Sequence, residues 1–383
     1  MNARVDPAGL DLADGVYFDM PDAMYHALPR LSATGIKALM TSPATFWAGS
    51  WMNPARADDG TPARVIGRAY HCARLEPQAF GDRFCMKPDP ATWAESGALM
   101  TDAAVKAALK DAGLVQTKAG EVALDRARRA EAEITECPPI ASLLIERWEE
   151  WRGGRAGIPE AVWDEILDAA ELLERTPEVR RHVRGGAAEV TILFDLGGVP
   201  FKCRLDYLRP NGFADLKTFA NEFGAPLEAK IANAFRLNRY HVQAWLYDRA
   251  VEAVRRGDLA AMDDDPHGLV AAIQARAAPL ECWWLWQEKG GVPNLLARRV
   301  VLRAPHPSHA VNASGADEET EAAVAAMTEG ETLLGAKAAR DVRAALALYR
   351  HCMDLWGATE PWAALTPSAD LDEVLFPTFW LEE

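Results

Sequence analysis

Three strand-like runs occupy the centre of the chain, at residues 188–195, 200–208 and 212–218. Gly197-Gly198 separates the first two and suits a two-residue hairpin turn. Arg209-Pro210-Asn211-Gly212 supplies the second turn. A helical pattern follows over 233–256, then a charged, helical excursion over 257–280. The segment ECWWLWQEKGGVPNLLARRVVLR predicts another hairpin about Gly290-Gly291. Upstream, residues 1–15 read as a loose tail, and Gly15 to Asp19 form a short aromatic segment. LSATGIKALMTSPATFWAGS reads as two short helices, the first capped by Ser32, with a break and restart at Ser42-Pro43. Thr61-Pro62 opens a stronger helix that ends near Glu76, because Pro77 disfavours helical geometry in the residue before it. Residues 88–180, rich in Ala, Glu, Arg and Leu, predict a helical insertion. Residues 305–317 form a polar linker before a final helix over about 318–355. Residues 16–383 are expected to form one α/β domain built on a central sheet flanked by helices.

Strand pairing turns this pattern into chemistry. A hairpin centred on Gly197-Gly198 sets Glu189 opposite Asp206. A four-residue loop over Arg209 to Gly212 sets Asp206 opposite Asp215, whereas an Asn-Gly turn sets Asp206 opposite Lys217. Side chains alternate along a strand, so Asp215 and Lys217 share a face in either register, and Asp206 joins it. Glu189, Asp206, Asp215 and Lys217 therefore fall into one cluster. Three carboxylates on one face repel unless a cation neutralises them. Magnesium, with manganese as a substitute, favours carboxylate and water oxygens and keeps waters for a substrate phosphate. Lys217 beside such a metal can hold or activate an attacking water and offset transition-state charge, which suits phosphodiester hydrolysis. A lone D-x-K is common on solvated strand faces; the two pairings are what single this one out.

Charge qualifies the reading. The 383-residue chain carries a formal net charge of −15, which argues against nucleic-acid binding over the whole surface. From Arg181 to Tyr240, however, nine Lys/Arg face six Asp/Glu, so DNA would be confined to a local groove. The six cysteines show no CxxC pair, which disfavours a zinc ribbon and gives no local iron–sulfur signature; Cys203 and Trp245 are expected to be packing residues. No apolar run is long enough to span a membrane and the N-terminus has no apolar leader, so a cytoplasmic, membrane-free protein is expected.

Two helices add candidates. Gln243 and Tyr247 are four apart and share a face, from which they could reach a phosphate backbone or position Lys217. His71, in the second half of the helix opened by Thr61-Pro62, could give a metal its nitrogen ligand.

The order His71, Asp206, Asp215-Leu216-Lys217, Gln243 and Tyr247 resembles the PD-(D/E)xK nuclease superfamily, above all the branch with the RecB nuclease domain and RecE-type exonuclease VIII. MYHALPRLSATGIKALMTSPATFW, TPARVIGRAYHCARLEPQAF, WLWQEKGGVPNLLARRVVL and ALYRHCMDLWG resemble further blocks of the exonuclease VIII family. Leu205 departs from the proline of the motif name, at a position that shapes backbone and holds no ligand.

The resemblance implies a restriction-endonuclease-like core. It implies His71, Asp206 and Asp215 as metal-site residues, with Glu189 at a further acidic position, Lys217 as catalytic lysine, and Gln243 and Tyr247 as a Q-x-x-x-Y motif. Arg204, Arg239 and Tyr240 are candidate DNA contacts. The activity implied is magnesium-dependent digestion of double-stranded DNA from its ends in phage or prophage recombination. The implied partners are a ring-like homo-oligomer of the chain and a single-strand annealing protein. The rivals are another nuclease of the superfamily, Cas4-like or endonucleolytic, and a non-catalytic DNA-binding module that retains the fold.

Overall fold

The two central turns decide the sheet. The computed structural model describes residues 11–56, 61–221, 224–290, 293–303 and 332–363. Strands β1 (Gly15–Tyr17), β2 (Phe84–Lys87), β3 (Ala156–Pro159), β4 (Ala187–Asp195), β5 (Pro200–Arg209), β6 (Gly212–Ala220), β7 (Glu281–Lys289) and β8 (Leu295–Arg299) fall into two sheets. The main sheet has six strands in the order β1-β4-β5-β6-β7-β8, and β2 pairs with β3 apart from it. The β4–β5 hairpin has the expected register, with Ala188 opposite Tyr207 and Val190 opposite Leu205. At the second turn Arg209 pairs with Gly212 and Tyr207 with Ala214, the register that points Asp206 toward Asp215. The ladder stops at that pair, and β5 and β6 then part.

Among these ladders β6–β7 is parallel, with Asp215 beside Trp284 and Lys217 beside Trp286. A parallel neighbour requires a crossover. It is made here by helices α12 (Leu227–Leu237), α13 (Tyr240–Arg255) and α14 (Leu269–Gln274), which follow α1 (Asp22–Ala27), α2 (Ala33–Leu39), α3 (Pro43–Gly49), α4 (Pro62–Leu75), α5 (Pro77–Arg83), α6 (Pro90–Glu95), α7 (Asp102–Asp111), α8 (Ala123–Glu133), α9 (Ala141–Arg152), α10 (Glu160–Arg175) and α11 (Pro177–Arg180); α15 (Leu333–Trp356) comes last. Gly212 anchors the parallel pair: its φ is +142°, and a Cβ there would collide with the Glu281 carbonyl oxygen.

The main core packs α2, α3, α13 and α15 against one face of the sheet, around Phe213, Trp284 and Trp286. A smaller cluster with Leu75, Leu173, Tyr207, Leu216 and Leu285 lies on the other face, under α4, α10 and α11. Helices thus cover both faces of a mixed sheet, a restriction-endonuclease-like α/β arrangement. Ser32 and Ser42 cap α2 and α3, their hydroxyls accepting the Gly35 and Thr45 amides. The hairpin about Gly290 is present as β7 and β8.

Several elements differ from expectation. The helix expected over 233–256 is two, broken where Arg239 takes a left-handed conformation (φ +50°). The excursion over 257–280 holds one short helix, α14. The stretch 88–180 carries six helices, α6 to α11, joined by loops, and one strand, β3, whose four residues carry too little pattern to stand out. Part of the expected tail is held: Arg30 donates to the Leu12 carbonyl and to Asp14. The tail before residue 11, the linker over 305–317 and the first part of the helix expected from 318 lie outside the described residues. All six cysteines are free. No described helix is long and apolar enough to cross a membrane.

Candidate active site

The parting of β5 from β6 leaves backbone groups without strand partners, and side chains take over. Asp206 Oδ2 accepts the Leu216 amide N–H at 2.6 Å. This fixes the β5 carboxylate between the strands, close enough to hydrogen bond with Asp215. His71, on α4, brings Nδ1 to 3.6 Å from Asp206 Oδ1. Glu189 stands at the rung between Ala188–Tyr207 and Val190–Leu205, in a left-handed conformation (φ +54°) that is strained for a residue with a side chain. Donor atoms of His71, Glu189 and Asp206 all lie within 4.8 Å of one another, one such group among the described residues.

Asp215 is fully buried. It pairs with the Lys217 ammonium, and the Gln243 amide on α13 donates to its Oδ2 at 2.7 Å. Tyr240, at the start of α13, lays its ring 4.9 Å from Lys217 Nζ. Tyr247 is buried edge-on against Phe213, and burial, with Asp215 nearby, holds its hydroxyl protonated.

The electrostatics follow from burial and crowding. Burial first, then repulsion from Asp206, pushes the Glu189 carboxyl up to about 8; the same two causes push Asp215 up to about 6. Burial also raises Asp206, against Lys217 and the Leu216 amide. Burial opposes charge on Lys217, but Asp215 and Asp206 outweigh it and hold its pKa at about 12, so this lysine is an ammonium. His71 is pushed down to about 3 by burial and by the cations Arg74 and Lys217. A neutral imidazole beside undercompensated carboxylates is a nitrogen-and-oxygen donor set that fits a divalent cation. Asp215 joins this set as a neighbour of Asp206 while Lys217 and Gln243 hold its oxygens.

The residues expected to touch DNA divide. Arg204 is engaged internally, by Thr191, Asp22 and the Met20 carbonyl. Arg239 is engaged by the Lys37 carbonyl and by Thr41. Only Tyr240 of the three faces the cluster. Two residues escaped the sequence reading. Arg74, one turn beyond His71, is 2% exposed with no hydrogen-bond partner at Nη1 or Nη2, and its charge acts on Asp206. Lys37 on α2 extends Nζ to 3.5 Å from Gln243 Oε1 and 4.8 Å from the Tyr240 ring. The signal for Lys37 was available: Ala33, Ile36, Lys37 and Met40 form the i, i+3, i+4, i+7 stripe of a core-facing helix.

A mixed sheet whose two central strands diverge over Asp206 and Asp215-Leu216-Lys217, with a glutamine closing on the second aspartate, is the arrangement of a PD-(D/E)xK-like domain. Residues 154–261 match the family model described as a PDDEXK-like domain of unknown function, DUF3799. That span contains Glu189, Asp206, Asp215, Lys217, Gln243 and Tyr247, but neither His71 nor Lys37. No curated protein matches the chain. Among solved structures it is similar to a protein from Eubacterium rectale described as "Putative exonuclease", at 13% identity over 84% of this chain and 82% of that one, with a TM-score of 0.38. A likeness that faint decides nothing about this chain.

Proposed function

We propose that the protein is a metal-dependent deoxyribonuclease that hydrolyses phosphodiester bonds, a double-strand exonuclease working from DNA ends in phage or prophage recombination. The observation that carries the hydrolytic reading is the single cluster formed by His71, Glu189, Asp206, Asp215 and Lys217 where β5 leaves β6. The finer assignment, to ends and to recombination, rests on the resemblance to RecE-type exonucleases, as do a ring-like assembly and an annealing partner.

His71, Glu189 and Asp206, with Asp215 beside them, would hold magnesium or manganese. Such an ion supplies Lewis acidity at the phosphate and a nucleophilic water at neutral pH. The protein's own groups do the rest. Lys217, an ammonium, offsets charge that builds on the phosphate oxygens. Asp215, ionised above about pH 6, pairs with the Lys217 ammonium and holds it in place. Gln243 fixes the Asp215 carboxylate so that neither group has to reorganise during reaction. The neutral His71 ring keeps a lone pair free.

Purified protein should degrade linear duplex DNA with magnesium or manganese and not with EDTA, and should spare closed circles. Asp215→Ala and Lys217→Ala should lose at least about 10²-fold in rate. Absence of hydrolysis with either metal would sink the nuclease reading, and equal loss of circles would sink the end-dependent one.

A further inference from the structure

Among the described residues Lys37 is a cation with no ion-paired carboxylate. It is partly buried. Its contacts are the Gln243 amide oxygen, at 3.5 Å, and the Tyr240 ring, at 4.8 Å. Lys217 stands over the same ring at 4.9 Å. Two ammonium groups therefore converge on one tyrosine. The Gln243 side chain is the link between them: Nε2 donates to Asp215, and Oε1 accepts from Lys37. Lys37 is thus one amide away from the aspartate that pairs with Lys217.

The surroundings hold Lys37 in place. Its helix is pinned at both ends, by the Ser32 cap and by Arg239, whose guanidinium donates to the Lys37 carbonyl at 2.8 Å and to Thr41 Oγ1 at 3.2 Å. Arg239 can do this because the left-handed kink between α12 and α13 turns it toward α2. Burial, then the neighbouring Lys217, pushes the Lys37 ammonium down to about 7. A positive group held inward and short of negative charge is completed by an anion from outside.

We propose that Lys37 is a substrate contact of the site, its ammonium binding a non-bridging oxygen of the scissile phosphodiester. The assignment rests on the nuclease reading above. It gives the site two lysines with separate tasks. Lys217 pairs with Asp215, while Lys37, whose ammonium contacts the Gln243 oxygen and the Tyr240 ring, meets the phosphate. Tyr240 is the platform that sets their spacing. Gln243 gains a second task, since its two amide ends register the phosphate-binding lysine against Asp215.

The test compares wild type with Lys37→Met and Lys37→Arg on linear duplex DNA, in two assays. With magnesium, kcat/KM should fall on the order of 10²-fold in Lys37→Met, and Lys37→Arg should stay within about 10-fold of wild type. In EDTA, where binding is read without hydrolysis, the slope of log affinity against log salt should fall by about 0.7 to 0.9 in Lys37→Met, the signature of one lost phosphate contact, and be kept in Lys37→Arg. A packing role would lower the melting temperature and leave that slope alone. Should Lys37→Met fail to melt cooperatively, Lys37→Gln replaces it. Unchanged kcat/KM and unchanged slope overturn the proposal, as does a wild type that binds no duplex. A wild type that binds but never hydrolyses sinks the nuclease reading instead, and the slope still decides Lys37.

Discussion

The Gln243 amide, on α13, donates to Asp215 Oδ2 on β6 at 2.7 Å, and so a helix fixes the carboxylate that a strand supplies. Removing that hydrogen bond frees Asp215 to rotate without emptying the core, because Gln243 is only partly buried. Gln243→Ala should therefore lower kcat about 10- to 100-fold and change stability by only about 1 kcal/mol. Steady-state kinetics beside a denaturant melt checks this. A fall in stability that accounts for the lost rate would mean Gln243 serves packing.

Crowded carboxylates make the metal-free fold sensitive to pH. Glu189 ionises near 4.5 when free and is pushed up to about 8 here, so the folded state holds its proton more tightly. Its contribution to stability is full below about pH 4.5 and is lost as pH rises toward 8. In EDTA, wild type should lose melting temperature relative to Glu189→Gln between pH 5 and pH 8. Manganese should restore more of it at pH 8 than at pH 6, because ligands bind as ionised groups. Glu189→Gly should go further and stabilise the metal-free protein by about 1 kcal/mol or more, since glycine tolerates the positive φ, while weakening the manganese response. Parallel melting curves for wild type and Glu189→Gln across this range would remove Glu189 from the site.

Gly212 controls a register that the chemistry depends on. A methyl group at this position meets the Glu281 backbone, which cannot swing aside as a side chain would. Gly212→Ala should cost more than about 2 kcal/mol and should disturb the alignment of Asp215 with Trp284. Thermal melts and residual nuclease rate would report the two effects. A variant as stable as wild type would show that the β6–β7 pair can shift.

The legibility of this site in the sequence divides along physical lines. Turn geometry and side-chain alternation are local, and they suffice to bring Glu189, Asp206, Asp215 and Lys217 together. Between the two registers open at Arg209–Gly212, the sheet takes the one with Pro210-Asn211 at the turn, as β6 must also run beside β7. Helix caps at Ser32 and Ser42 were equally local. The break at Arg239 was not, because no Gly or Pro marks it; the contacts that hold it reach Lys37 and Thr41, some two hundred residues away. The same distance hid the partner of Lys37, Gln243, although the stripe of Ala33, Ile36, Lys37 and Met40 already placed Lys37 on the core-facing side of its helix. Arg204 looked like a DNA contact because a strand arginine in a basic stretch says nothing about whether Asp22 and Met20 will fold back to claim it.

The hydrogen bond between Lys37 and Gln243 spans 206 positions of the chain. Contacts of such separation form late, since a long loop must close before they yield any stabilisation. On the ribosome, synthesis runs from the N-terminus, so the segment with α2 and α4 waits through the whole of the 88–180 stretch for its partners. The nascent chain thus has no complete site until α13 has emerged. A truncated product ending before Gln243 would retain Asp206, Asp215 and Lys217 but lack the helix whose amide fixes the Asp215 carboxylate.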